Sequence, residues 1–370
     1  MESKPVSIYI HFPFCVKKCA YCAFFSVSGG NDEIYDAYTD AVIKRLRSIP
    51  RHRVKTVYFG GGTPTVLGAE RLCRVLGAVS DTQEVEQDAE ITLESNPGTV
   101  NSDDFYKLSA AGFNRLSIGL QSADDEALKV LGRIHDLKAF LDCYDGAAKY
   151  FSNISTDIIF ALPYNRQSGK PSVGLHKTLE ILKSIQVPHI SAYSLILEEN
   201  TPLSDYRNQY AFPDENGEEA EYNYICSFLS DSGYGHYEIS SFALPGYESR
   251  HNIGYWKRES YIGVGPAAHS FYRNRRFSAP PDIGLFIRSA DKPFMSDTDF
   301  AAAAEITADE AEEERIMLGL RTSDGVKLLG EKLKYAEKLA DAGYGTIRDG
   351  IFSLNDKGFR VSNFIISGLI

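Results

Sequence analysis

Three cysteines stand at Cys15, Cys19 and Cys22, in the stretch Tyr9-Ile-His-Phe-Pro-Phe-Cys-Val-Lys-Lys-Cys-Ala-Tyr-Cys. Thiolates spaced C-x3-C-x2-C converge on one soft metal centre. A structural zinc ion asks for four ligands, and no fourth Cys or His follows at short spacing. A [4Fe–4S] cube held by three thiolates leaves one iron without a protein ligand, free to bind a small molecule. The competing reading is a zinc clip closed by a distant cysteine such as Cys73 or Cys226.

Other residues fit for chemistry stand just after apolar runs. Gly60-Gly61-Gly62-Thr63-Pro64 follows the run Val54–Phe59. Bare glycine backbone lets N–H and C=O groups approach a ligand with no Cβ in the way. No Gly-Lys-Ser/Thr follows, so this is not a phosphate loop; alone it reads equally as a tight turn. Glu94-Ser-Asn96-Pro97 puts a carboxylate where it needs a partner. Gln121 follows Arg115–Leu120, and Arg133 lies in Leu131-Gly-Arg-Ile-His135, as a helix surface charge or a grip on a ligand. Asp157 heads Ile158-Ile-Phe-Ala-Leu-Pro163 and is costly there unless paired; an ion pair with Arg133 would satisfy both.

Six apolar runs must position these groups: Val6–His11, Val54–Phe59, Glu90–Glu94, Arg115–Leu120, Ser155–Phe160 and His189–Leu197. Val, Ile, Tyr and Phe dominate them, as in strands. Between them, Asp32–Ser48, Ala69–Ser80, Ser102–Ala111, Leu137–Tyr150 and Gly174–Ile185 carry helical periodicity. Strand–helix alternation implies an α/β fold with a parallel sheet. Ligands bind at the C-terminal strand ends of such sheets, where the residues above fall. Periodicity leaves an open doubly wound sheet and a partial barrel equally in play.

From about Thr201 the alternation stops. Asp214–Ser232 reads as an acidic helix and Tyr234–Phe242 as one added strand; 261–272 and 275–295 are mixed. Beyond residue 300, Ala301–Leu320 and Glu331–Ala342 read as helices, Thr346–Leu354 as a hairpin around Asp349-Gly350, and Asp356–Leu369 as a last helix. The expected domains are 1–200, 201–300 and a small helical, winged-helix-like module at 301–370. Its recognition stretch is not strongly basic, which favours packing or partner docking over DNA binding.

Lys and Arg total 39 against 50 Asp and Glu, a net charge of −11, which argues against nucleic acid as a partner. Six cysteines, three of them clustered, are not a secreted disulfide framework. The start carries no charged-then-apolar leader and no apolar run has membrane length, so a reducing, cytoplasmic setting is expected.

Taken with the glycine loop, the C-x3-C-x2-C stretch resembles the radical S-adenosylmethionine (SAM) family. Adding Ile190-Ser-Ala-Tyr193-Ser-Leu and Glu198…Thr201-Pro202, the chain is similar to that family's coproporphyrinogen-dehydrogenase branch, which holds HemN-type oxidases and HemW-type heme chaperones. The likeness covers most of the chain, from Ile8 to about Leu320. It implies a partial (β/α)6 barrel with a [4Fe–4S] cluster on Cys15, Cys19 and Cys22, whose open iron is chelated by the amino and carboxylate groups of SAM. Tyr9 and Tyr21 would flank the cluster, and Gly61, Gly62, Thr63, Glu94, Gln121, Arg133 and Asp157 would line the SAM pocket. Two departures touch one loop: Ala161 stands where the family usually has Gly, and Tyr164-Asn-Arg-Gln where it usually has Gly-Gln-Thr.

Two features favour the chaperone type. The oxidase type expects a further cysteine two places after the third and a long N-terminal extension; here Phe24 holds that place and Cys15 comes early. The stretch Arg250-His251-Asn252-Ile-Gly-Tyr255-Trp256 matches the H-N-x-x-Y-W signature of the HemW type. His251 is then the candidate heme ligand, with Tyr255 and Trp256 stacking on the porphyrin and Arg250 pairing with a propionate. Core packing is the competing reading of a lone Trp. His269 is a second candidate, and His11 is expected to hydrogen-bond near the sulfurs. The resemblance implies heme and an acceptor hemoprotein as partners, a reductant for the cluster, a homodimer, and an acceptor that can be membrane-associated. The alternative is an oxygen-independent coproporphyrinogen III oxidase-like enzyme, or another porphyrin-modifying one, in which a reduced cluster cleaves SAM to methionine and a 5′-deoxyadenosyl radical. No catalytic residue is assigned.

Overall fold

Apolar and polar residues alternate along the first six strands, and this period of two sets the architecture. The structure, a computed structural model, describes residues 4–165, 174–296 and 300–370. The six strands are β1 (Val6–Phe12), β2 (Arg53–Gly61), β3 (Glu84–Ser95), β4 (Arg115–Gln121), β5 (Ile154–Phe160) and β6 (His189–Ser194). Each pairs in parallel with the next. Outward residues such as Ile8, Ile10, Val57, Phe59, Leu93, Leu116 and Ile118 are fully buried in one large core. Helices α1 (Asp32–Ser48), α2 (Ala69–Thr82), α3 (Ser102–Ala111), α4 (Asp125–Val130), α5 (Leu137–Ala147) and α6 (Gly174–Ser184) follow or connect these strands. The inward row is polar: Tyr9 lies beside Tyr58, Glu94 beside Ser117, and Asp157 between Gly119 and Ser191. The fold is an α/β partial barrel, with no hydrogen-bonded closure among the described residues.

The same sheet continues beyond both edges. After α7 (Glu215–Asp231), the hairpin β7 (Gly235–Glu238) and β8 (Ser241–Ala243) adds antiparallel to β6. This corrects the single strand expected over Tyr234–Phe242: the Glu238 carboxylate accepts the Ser240 N–H and closes a turn there. After α8 (Arg250–Trp256), β9 (Tyr261–Val264) pairs in parallel with β1, and β10 (His269–Tyr272), β11 (Arg275–Ser278) and β12 (Ala302–Glu305) extend that edge, giving twelve strands. A short helix, α9 (Ile283–Arg288), sits between the last two. The helix expected from Ala301 therefore begins later. Its first alanines pair with β11, and a Thr307–Glu310 capping box starts α10 (Ala308–Gly319).

The C-terminal module has its own core, with Ile316, Leu320, Phe352 and Phe359 at its centre. It comprises α10, β13 (Val326–Lys327), α11 (Gly330–Asp341), the hairpin β14 (Gly345–Arg348) and β15 (Ile351–Leu354), and two short helices. The last expected helix is thus divided into α12 (Asp356–Arg360) and α13 (Ser362–Ser367). No helix among the described residues is long and apolar enough to cross a membrane.

Candidate functional site

The three cysteines sit on a loop pinned at several points. Backbone bonds join Val27 N–H to Pro13 C=O at 2.8 Å and Gly29 N–H to Cys15 C=O at 2.9 Å, bracketing the loop. Ala20 N–H reaches Leu131 C=O at 2.9 Å, and Leu203 N–H reaches Ala20 C=O at 2.8 Å. The glycine loop docks on it from the other side: Gly62 N–H bonds Phe12 C=O at 2.8 Å and Thr63 N–H bonds Phe14 C=O at 2.7 Å. A Cβ on Gly62 would stand 2.7 Å from Phe14 O, so only glycine permits this docking.

Together these loops ring a cavity of about 500 Å³ at the C-terminal ends of the strands. Cys15, Cys19, Cys22, Tyr21, Gly61, Gly62, Thr63, Glu94, Gln121, Arg133 and Asp157 all line it. All three thiols are half-buried and free. Two donors approach their sulfurs: Thr63 Oγ1 lies 3.7 Å from Cys15 Sγ, and Arg133 Nη1 lies 3.4 Å from Cys19 Sγ. Such donors stabilise thiolates and tune a bound cluster. One zinc ion would draw thiolates to within about 4.6 Å of each other, twice the Zn–S bond. Among the described residues, the one ligand trio lying within 4.8 Å of one another is elsewhere, at Cys226, His236 and Asp356. Cys73 faces Lys107 C=O instead. Neither cysteine closes a zinc clip, and the wider thiol spacing suits a cluster.

Two carboxylates stand on the cavity wall. Glu94 accepts from the Tyr58 hydroxyl at 2.8 Å and from Gly61 N–H at 3.1 Å. Burial pushes its pKa up to about 7, with Asp157 adding to the rise and the Tyr58 and Gly61 donors opposing it. Asp157 accepts from Ser117 Oγ at 3.0 Å, and burial raises its pKa too. The expected Arg133–Asp157 ion pair is replaced. Arg133 bonds Asn96 Oδ1 and, at 2.9 Å, Gly119 C=O, besides Cys19. Its buried Nε has no hydrogen-bond partner. Arg115, fully buried on the same inner wall, supplies the charge that opposes the pKa rise of both carboxylates.

Tyr58, Ser117 and Gly119, which no motif marks, complete this wall with Asn96 of the Glu94-Ser-Asn96-Pro97 stretch. A Cβ on Gly119 would stand 2.9 Å from Asn96 Oδ1 and 3.1 Å from Arg133 Nη2. The signal was present in the period of two, since Tyr58, Ser117 and Gly119 occupy the inward positions beside Tyr9, Glu94 and Asp157.

Tyr9 lies below the cavity, stacked on Tyr58 with ring centroids 6.1 Å apart. The two ring nitrogens of His11 bond Tyr9 OH and Phe25 C=O at 3.0 and 2.9 Å rather than a sulfur. Ala161, at the position where a glycine was expected, has φ 56° and donates its N–H to Glu221 at 2.7 Å. Arg166 and Gln167 of the neighbouring departure lie outside the described residues.

His251 is the largest departure from expectation. Helix α8 enters the opposite, N-terminal end of the barrel, and His251 turns inward there. His251 is 1% exposed. Its Nδ1 contacts Thr56 Oγ1 at 2.7 Å and its Nε2 contacts Tyr255 OH at 2.8 Å, while its backbone N–H donates to Glu90 at 2.9 Å. Burial lowers its pKa to about 3. Both ring nitrogens are engaged, so His251 presents no free ligand atom. Arg250 is held by Asp88, and Tyr255 packs edge-on against Tyr261. His269 is exposed on β10, outside the cavity. The Tyr58 ring lies 4.9 Å from His251, so the plug supports the residue that holds Glu94.

Comparison with known proteins bears on this geometry. Residues 9–169 match the radical SAM superfamily. Over 380 aligned residues the chain is 33% identical to the heme chaperone HemW of Lactococcus lactis, covering 98% of this chain and 97% of that one. It is 33% identical to the heme chaperone HemW of Bacillus subtilis, covering 94% and 89%. Coproporphyrinogen III oxidase (HemN) from Escherichia coli, a radical SAM enzyme, superposes with a TM-score of 0.82 at 21% identity, over 99% of this chain and 90% of that one.

Proposed function

We propose that this chain, which belongs to the radical SAM superfamily and within it to the family of the heme chaperone HemW, binds heme and passes it to an acceptor hemoprotein. The observation that carries the reading is the convergence of three free thiols and two half-buried carboxylates on one cavity. Cys15, Cys19 and Cys22 would hold a [4Fe–4S] cluster, and SAM would occupy the cavity beside it. When bound, the pair supplies one-electron chemistry at the SAM sulfonium. The chain's own residues bind and orient. Gly61 and Gly62 offer backbone to the SAM amino group. Glu94, once ionised, would accept from the N–H groups of that amine, and Tyr58 fixes its direction. Asp157, held by Ser117, accepts from ribose hydroxyls. Arg133 braces Cys19 and faces the SAM carboxylate.

Heme is best served by the rim of the same cavity. Phe24 is 73% and Ile196 67% exposed, with Val16 and Ile134 beside them. Exposed apolar side chains gathered at one mouth mark a binding surface. Lys17 and Lys18 line that mouth and suit propionates. The acceptor is one of this cell's hemoproteins, in the reducing cytoplasm or at the membrane face; a reductant and a second copy of the chain complete the partners.

Mixing the heme-loaded protein with an apo-hemoprotein tests the function. The expected result is a Soret spectrum that moves to that of the acceptor. Retention of all heme by the chaperone, together with loss of propionate carboxyls from coproporphyrinogen III, would return the oxidase reading.

A further inference from the structure

One cluster of metal-ligating side chains has no part in the cavity. Cys226 comes from α7, His236 from β7 and Asp356 from the first turn of α12. Their ligand atoms lie within 4.8 Å of one another. Cys226 is buried, His236 half-buried and Asp356 exposed. A thiolate, an imidazole and a carboxylate are the donors zinc takes, and three of them leave one position for water.

The imidazole is held before any ion arrives. Its ring stacks on Phe242 at 4.1 Å and meets the edge of Phe359 at 4.9 Å. Its Nδ1 bonds Asp356 Oδ1 at 2.7 Å. The Tyr222 hydroxyl, one turn before Cys226 on α7, faces the Cys226 thiol. A cation replacing the proton shared by His236 Nδ1 and Asp356 Oδ1 would be held by both, with Cys226 as the third ligand.

The place gives the cluster a purpose. It lies where the C-terminal module meets the edge of the large sheet. Ile239 N–H bonds Arg321 C=O at 2.9 Å there, Ser323 N–H bonds Tyr237 C=O at 3.0 Å, and Arg360 pairs with Glu219. We propose that Cys226, His236 and Asp356 bind a zinc ion that fastens the C-terminal module to the barrel edge. Tyr222 orients the water in the fourth position. Deprotonation of the Cys226 thiol accompanies binding and releases one proton to solvent.

Zinc content of the cluster-loaded, full-length protein decides this, because cluster-bound N-terminal cysteines no longer compete for zinc. After equilibration with zinc and anaerobic gel filtration, the wild type should retain about one zinc per chain. Cys226→Ser and His236→Gln should lose it while keeping wild-type iron and sulfide, which shows that the barrel is folded. Asp356→Asn, which removes an anionic ligand, should retain less zinc than the wild type. Chelation should lower the melting temperature of the wild type and leave Cys226→Ser unmoved. No retained zinc in the wild type, or equal zinc in Cys226→Ser, would overturn the site.

Discussion

The two ends of the barrel hold similar residues and do opposite things. At the C-terminal end, thiols, carboxylates and an arginine border a cavity, and Arg133 Nε has no protein partner. At the N-terminal end, His251, Tyr255, Thr56 and Glu90 also gather, but each side chain is engaged. Residue type does not separate the ends; accessibility does. The upper end can take a ligand, and the lower end braces the wall that takes it. Tyr58 is the physical link, against His251 below and hydrogen-bonded to Glu94 above.

The largest effect should come from the cluster ligands. Cys19→Ala should reduce iron and sulfide from about four per chain to background while leaving the melting curve of the apo-protein unchanged. A full cluster in that variant would mean the ligands are elsewhere. Next, Arg133→Leu should weaken SAM binding by about 10- to 100-fold, by removing the brace on Cys19 and a cation from the cavity wall; calorimetry with wild-type affinity would remove Arg133 from the site. At the other end, His251→Ala should cost about 3 kcal/mol of stability through a cavity and two lost side-chain bonds, read by denaturant unfolding. A cost near zero would contradict the bracing role.

Acid sharpens the contrast. Glu94 has its pKa raised to about 7 by burial, so the folded chain keeps a proton that the unfolded chain releases between about pH 4.5 and 7. Its contribution to stability is present at low pH and is lost as pH rises through 7. His251, lowered to about 3, behaves the other way: its contribution is present above about pH 6.5 and is lost as pH falls. SAM affinity should rise as pH passes upward through about 7, and Glu94→Gln should flatten the profile. A slope unchanged in Glu94→Gln would assign the titration to another group.

Much of this was legible in the residues. The alternating strands, the helices Asp32–Ser48 and Ser102–Ala111, and the gathering of Cys15, Glu94, Arg133 and Asp157 at one sheet end all follow from period and capping. Three things were not. The end of the barrel that receives α8 is a tertiary choice, so a histidine suited to heme iron reads the same whether buried or exposed. The alanines of β12 carry helical propensity that pairing with β11 overrides. Asp356 lies 120 residues beyond His236, and only the docking of the C-terminal module brings it to Cys226 and His236.

The central claim is that heme meets the rim of the upper cavity and not the lower plug. Anaerobic optical titration of the cluster-loaded protein with heme tests it, with the wild type beside Phe24→Asp/Ile196→Asp and the bond-preserving His251→Gln. The account predicts a saturable Soret band in the wild type and in His251→Gln, and at least about tenfold weaker binding in the rim variant. Undiminished binding by the rim variant, with loss in a folded His251→Gln, would contradict it and return the heme to the plug.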